Sequence, residues 1–296
     1  MFAYWLARAV SFVVCLLPRS VADKFGLWLG NIAWYAVPKR RKILAAGNIK
    51  RCLSADDAEA ERIARASTVR FGPMLFEVLR FGKIKGHIDE YVTFTGLEHL
   101  REAMKNGQGG IIATCHSGNW ELMGGALAQA GIPIVGVAMK QKSAGSDRFI
   151  NEQRRLIGMH ITYKTDVREM YDMLAKGWFI GLIMDQDTSM RDGILLDFFG
   201  QLTNCVTGAA SMARFKKVPI FPGFMHRLPN GTHHLIIREP IEQQRSADKR
   251  ADIKHNTQII TTLIEEHIRA YPEEWFWLHD RWKSMREEYK IGQNPE

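Results

Sequence analysis

Cysteine is scarce: Cys15, Cys52, Cys115 and Cys205 are the four in 296 residues, far apart and without a C-x-x-C pair. That spacing excludes a disulfide scaffold, suits a reducing compartment and offers no zinc site. No G-x-S-x-G elbow is present, so the usual serine nucleophile of hydrolases is missing. No P-loop or nucleic-acid module occurs either. The faint Gly107-Gln108-Gly109-Gly110 run precedes a strand where a dinucleotide loop would follow one. Repeats and low-complexity tracts are absent, which excludes solenoids and arrays.

What the chain has is an ordinary globular composition, 46% hydrophobic and 24% charged, with a net charge of +8. A basic balance suits nucleic acid, an anionic membrane surface or an acidic protein. With no nucleic-acid module, the last two remain. Residues 2–17 (FAYWLARAVSFVVCLL) are apolar except for Arg8 and Ser11. As a helix they would reach about 24 Å, short of the roughly 30 Å hydrocarbon core. Phe25 to Val37 forms a second apolar stretch, interrupted by Gly26, Gly30 and Asn31, and the basic run Lys39-Arg40-Arg41-Lys42 follows it. No basic n-region precedes the first stretch and no A-x-A site follows, which argues against a signal peptide. The expectation is an N-terminal interfacial or tilted anchor over residues 1–42, with Trp5, Trp28 and Trp34 at headgroup depth. A buried core hairpin is the alternative.

Residues 43–296 read as one domain. Asp56 to Leu79 is predicted helical with a break at Gly72-Pro73. From residue 91, short apolar runs alternate with helical ones. The predicted strands are 91–94, 110–115, 133–138, 161–163, 178–184 and 218–224. The predicted helices are 97–104, 119–130, 147–156, 167–176, 207–215 and 253–270. Leu228-Pro229-Asn230-Gly231 signals a hairpin. The fold class is therefore α/β, a mostly parallel central sheet flanked by helices, with active groups expected beyond the strands' carboxyl ends.

At one such end stands His116-Ser117-Gly118-Asn119-Trp120-Glu121, directly after the buried run GIIATC. With ten histidines and 32 acidic residues, about one His-x4-acid pair arises by chance, and His234 to Glu239 is a second. That second pair lies along a strand, where odd spacing sends the side chains to opposite faces. His116 instead sits at a corner that Gly118 and an Asn119 N-cap allow to turn sharply. The corner is expected to fold Glu121 back onto the imidazole. Imidazole titrates at about 6.5 and can take an alcohol's proton at neutral pH. A carboxylate on its other nitrogen would fix the tautomer and stabilise the imidazolium. With no enzyme nucleophile in view, a substrate hydroxyl activated in this way would itself be the attacking group.

These residues carry a likeness. H-S-G-N-W-E resembles the H-x4-D/E (here HX4E) motif of the lysophospholipid acyltransferase superfamily. The closer resemblance is to the lipid A late acyltransferases, the bacterial lauroyl and myristoyl transferases. Met184-Asp185-Gln186-Asp187 is similar to that family's D-Q segment, and Asp197-Phe198-Phe199-Gly200 with Thr207-Gly208 to its F-F-G…T-G stretch. Residues 272–283 (PEEWFWLHDRWK) resemble its C-terminal P-E-Q-W-x-W-L-H-R-R-W-K segment, with Asp280 where an arginine is usual.

The resemblance implies a glycerolphosphate-acyltransferase-like fold and no cofactor. It implies acyl carrier protein thioesters as donor, a phosphorylated glucosamine lipid as acceptor, and the cytoplasmic face of the bacterial inner membrane. Acylation of phosphatidylinositol mannosides is the alternative within the group, and a non-catalytic lipid-binding protein is a further one. The family's arginine, an oxyanion donor, corresponds best to Arg154, with Arg155 next. Asp185 and Gln186 would orient the acceptor's hydroxyls or cap a turn. Thr207 and Gly208 would bring a helix N-terminus to a phosphate, or simply cap it. The aromatic C-terminal segment would dock on the membrane or seal the domain's edge.

Overall fold

A computed structural model describes residues 1–190 and 192–286; residues 287–296 of the expected 43–296 domain lie outside the described residues. Six helices come first: α1 (Phe2–Leu16), α2 (Arg19–Ala36), α3 (Lys39–Leu53), α4 (Asp57–Val69), α5 (Phe71–Leu79) and the single turn α6 (Phe81–Ile84). Strands and helices then alternate as β1 (Val92–Thr95), α7 (Leu97–Lys105), β2 (Gly110–Thr114), α8 (Trp120–Gln129), β3 (Ile134–Ala138), α9 (Ala144–Leu156), β4 (His160–Tyr163), α10 (Val167–Ala175) and β5 (Phe179–Ile183). A hairpin of β6 (Gly193–Phe198) and β7 (Gln201–Val206) leads into α11 (Gly208–Lys216), β8 (Ile220–Arg227), β9 (His233–Ile237) and the long α12 (Lys249–Ala270).

Seven strands form one sheet in the order β1-β9-β8-β2-β5-β3-β4. From β8 to β4 the neighbours are parallel; β9 pairs antiparallel with β8, and β1 runs parallel to β9. Both faces are covered, which is why β2 is buried throughout and apolar up to Thr114. Ile111 and Ala113 join a core with Ile180, Met212, Ile260 and Trp275, while Ile112 joins another with Leu122, Met123, Phe179 and Phe221. The expected α/β architecture is present. The hairpin β6–β7 was not foreseen from the sequence.

The N-terminal helices sit on the sheet domain with one face and leave the other bare. Tyr4 donates to Glu152 at 2.8 Å, and Arg80 caps the end of α1 by donating to Val14 O (2.7 Å) and Leu17 O (2.6 Å). Gly30 lets α2 reach backbone contact: a Cβ there would lie 2.1 Å from Val69 O at the end of α4. Gly26 does the same against Pro73 of α5, at 2.8 Å. The two glycines that interrupt the apolar stretch are thus its packing surface. On the bare side, Phe2 (82% exposed), Trp5 (62%), Phe12 (67%), Trp28 (61%) and Tyr35 (74%) face outward. Of the three expected headgroup tryptophans, Trp34 is instead buried, with Lys42 over its ring. The division expected after residue 42 falls within α3. Among the described residues, no helix is long and apolar enough to cross a membrane.

Candidate functional site

Parallel pairing of β2 with β5 builds the site. Thr114 lies opposite Ile183, so His116 and Asp185, each two residues further on, emerge side by side at the strands' carboxyl ends. Met184 N still donates to Thr114 O at 2.8 Å, which carries the register almost to the site. His116 Nδ1 then meets Asp185 Oδ1 at 2.9 Å. The other carboxylate oxygen accepts from Trp275 Nε1 at 2.6 Å. Burial by itself would raise the Asp185 carboxyl. The His116 charge, with hydrogen bonds from His116 and Trp275, overcomes that and holds it at about 2. An ionised Asp185 accepts the Nδ1 proton, which leaves the lone pair on Nε2. Gln186 Nε2 faces that nitrogen at 3.3 Å.

The loop around His116 is held from several sides. Gly118 takes φ +58°, and its N–H donates to Glu274 O at 3.1 Å. Arg70 donates to the carbonyls of Gly118 (2.7 Å) and His116 (3.1 Å). Ser117 Oγ and His267 Nε2 are 2.9 Å apart. Trp120 meets the His116 ring edge-to-face at 4.9 Å, and the His116 side chain keeps 19% of its surface open. Cys115 is no nucleophile. Burial pushes its thiol well above the ordinary value, and nearby Asp185 raises it further.

Glu121 is not where the sequence reading places it. Asn119 does cap α8, accepting from Leu122 N at 3.0 Å, and Glu121 does lie in the first turn. Both its oxygens, however, take a two-pronged bond from Arg154: Nε to Oε2 at 2.7 Å and Nη2 to Oε1 at 2.6 Å. The helix turns Glu121 toward α9, so Asp185 takes the Nδ1 position expected for it. The expectation for Arg154 changes accordingly. Its remaining nitrogen, Nη1, donates to Asn151 Oδ1 at 3.0 Å, and the guanidinium is a structural partner of Glu121. Arg155 is exposed.

Asp185 and Gln186 both contact the His116 ring, at Nδ1 and Nε2 respectively. Thr207 and Gly208 do open α11, without a side-chain cap, and a Cβ on Gly208 would lie 3.9 Å from Leu182 on β5. Among the described residues no hydrogen bond joins them to His116. Sequence reasoning missed Arg70 and Trp275. The C-terminal aromatics seal the domain, because Trp275, Trp277 and Trp282 are all buried. The signal for Asp185 as the imidazole's partner was its place at the end of the apolar run WFIGLIM; what was lacking was the strand order. Among the described residues, no group of three or more His, Cys, Asp or Glu side chains is arranged to hold a metal.

An imidazole nitrogen with a free lone pair, backed by a buried carboxylate at the mouth of a parallel sheet, suits proton removal from a substrate hydroxyl. The neighbouring Ser117 hydroxyl is turned to His267 instead. The family model described as bacterial lipid A biosynthesis acyltransferase matches residues 1–284. The chain belongs to that family. It is therefore an acyltransferase. Curated relatives agree. It is 25% identical over 290 residues to the lipid A biosynthesis lauroyltransferase of Escherichia coli K12, covering 96% of this chain and 92% of the relative. It is 27% identical over 242 residues to the phosphatidylinositol mannoside acyltransferase of Mycolicibacterium smegmatis, covering 79% and 77%. The 1-acyl-sn-glycerophosphate acyltransferase PlsC of Thermotoga maritima superposes only loosely, with a TM-score of 0.36 and 15% identity over 84% of this chain and 98% of that one.

Proposed function

We propose that this acyltransferase moves a fatty acyl group from an acyl carrier protein thioester to a hydroxyl of a lipid A precursor, with His116 Nε2 as general base. The observation that supports this most is the 2.9 Å contact of His116 Nδ1 with the buried Asp185, which presents Nε2 as the acceptor. The acceptor hydroxyl would displace the Gln186 amide, donate to Nε2 and attack the thioester carbon. Asp185 would stabilise the imidazolium, and its proton would leave with the departing thiolate. Glu121 would act on the site's shape through Arg154, and not on the proton.

The mannoside acylation of the mycobacterial relative keeps a second acceptor class open. The test is product analysis with a tetraacylated lipid A precursor and a phosphatidylinositol mannoside, each supplied with acyl carrier protein and coenzyme A thioesters. An extra acyl chain on the lipid A precursor from the carrier-protein donor is expected. Acylation of the mannoside alone would move the assignment to that acceptor, and activity with coenzyme A alone would overturn the donor.

The work site would be the cytoplasmic face of the bacterial inner membrane. Two features support an interfacial attachment. One is the bare apolar face of α1 and α2. The other is the placement of Lys39, Arg40, Arg41 and Lys42 in the first turn of α3, where the helix dipole disfavours cations and an anionic surface would compensate. Phe12→Asp with Trp28→Asp is expected to abolish co-sedimentation with phosphatidylglycerol vesicles while leaving the fold intact. Undiminished sedimentation would contradict the attachment.

A further inference from the structure

Asp185 and His116 stand on separate loops, and nothing in the parallel sheet alone dictates which oxygen of the carboxylate faces the ring. A carboxylate rotates about its Cβ–Cγ bond and has two equivalent oxygens to offer. One residue removes that freedom. Trp275 Nε1 donates to Oδ2 at 2.6 Å, leaving Oδ1 for the imidazole. The indole cannot follow a rotating carboxylate: it is buried, edge-to-face on Trp277 at 4.6 Å, and packed near Phe198. The same stretch also grips the His116 loop. Ser117 and Trp275 form an antiparallel bridge, and Gly118 N donates to Glu274 O at 3.1 Å.

Further along, the C-terminal segment fixes the rest of the loop after β5. Asp187 accepts from Ser284 N (2.8 Å) and Oγ (2.7 Å) and lies 3.7 Å from the buried Arg281. Asp187 N donates to His279 Nε2 at 3.2 Å. A segment that only closed the core would need none of these polar contacts to the one loop that carries Asp185.

We propose that Trp275 is a positioning residue for acyl transfer, holding Asp185 in the orientation that presents His116 Nε2 as the base. This rests on the reading of His116 and Asp185 as the proton-handling pair. Trp275→Phe keeps a ring and deletes the N–H. It is expected to lower kcat roughly tenfold with KM little changed, the loss of one hydrogen bond to a charged group. The acidic limb of the kcat–pH profile should move to higher pH, because a carboxylate relieved of one donor binds the imidazolium more strongly.

In the Asp185→Asn background the same substitution should cost nothing more and should return part of the activity, because the amide is then free to turn its oxygen toward Nδ1. If Trp275→Phe folds poorly, β-(3-benzothienyl)alanine at position 275 keeps the bicyclic ring without the N–H, and the same changes are expected. Wild-type kcat and an unmoved profile in a folded variant, or additive losses in the double variant, would reduce Trp275 to a packing residue. That result would leave the pair itself standing, which falls only if folded His116→Ala or Asp185→Asn remains active.

Discussion

Asp185→Asn is expected to give a folded protein whose acyl transfer is slower by roughly 10⁴-fold, the loss seen when the aspartate of a hydrolytic triad becomes asparagine. The reason lies in the neighbours. Trp275 Nε1 is a donor only, so it will claim the oxygen of the new amide at the Oδ2 position. The amide NH₂ is then left facing His116 Nδ1. That nitrogen must accept, the ring proton moves to Nε2, and the base is silenced by the wrong tautomer. kcat at saturating donor and acceptor measures the loss, and near-ultraviolet circular dichroism checks the fold. Activity within tenfold of wild type would mean that Asp185 does not set the tautomer. The substitution also removes a pH-dependent contribution to stability. With the folded carboxyl held at about 2, below its ordinary 3.8, that contribution is complete above the ordinary value and is lost as pH falls through about 2.

Arg154→Ala is expected to cost about 3–5 kcal/mol of stability, the range for breaking a buried ion pair by removing one partner. Glu121 and Arg154 keep 11% and 14% of their side-chain surfaces, so water cannot replace the two lost hydrogen bonds in full. Arg154→Met with Glu121→Leu, which removes both charges, should recover much of the loss. Arg155→Ala, one residue on and exposed, should stay within about 0.5 kcal/mol of wild type. Chemical denaturation measures all three. A loss below about 1 kcal/mol for Arg154→Ala would show that Glu121 finds another partner, and would reopen its placement on His116.

Much of the sheet domain was legible because its strands are short apolar runs, wholly buried as in GIIAT or shielded from full exposure as in FIGLI, or are bounded by turn residues, as at Leu228-Pro229-Asn230-Gly231. The hairpin β6–β7 was not. Its turn is Phe199-Gly200, both at positive φ (58° and 71°), and a phenylalanine there hides the signal that asparagine or aspartate would give. His116 was legible from its corner between strand and helix. Its partner was not, because spacing along the chain speaks only for residues a few positions apart. Asp185 lies 69 residues away and reaches the ring through the strand order β2-β5, which the order of elements in the chain does not dictate. Glu121 looked suitable because its distance in sequence was right; the direction of the first turn of α8 settled the matter otherwise. The same limit applies to Trp275, whose aromatic surroundings could be read but whose N–H target could not.

The most direct measurement is the rate at which folded His116→Ala, beside wild type, adds an acyl chain from an acyl carrier protein thioester to a tetraacylated lipid A precursor. A fall of about 10² or more with an unchanged fold is the predicted result. A folded His116→Ala protein that transfers at a near-normal rate would contradict the assignment of His116 as the base.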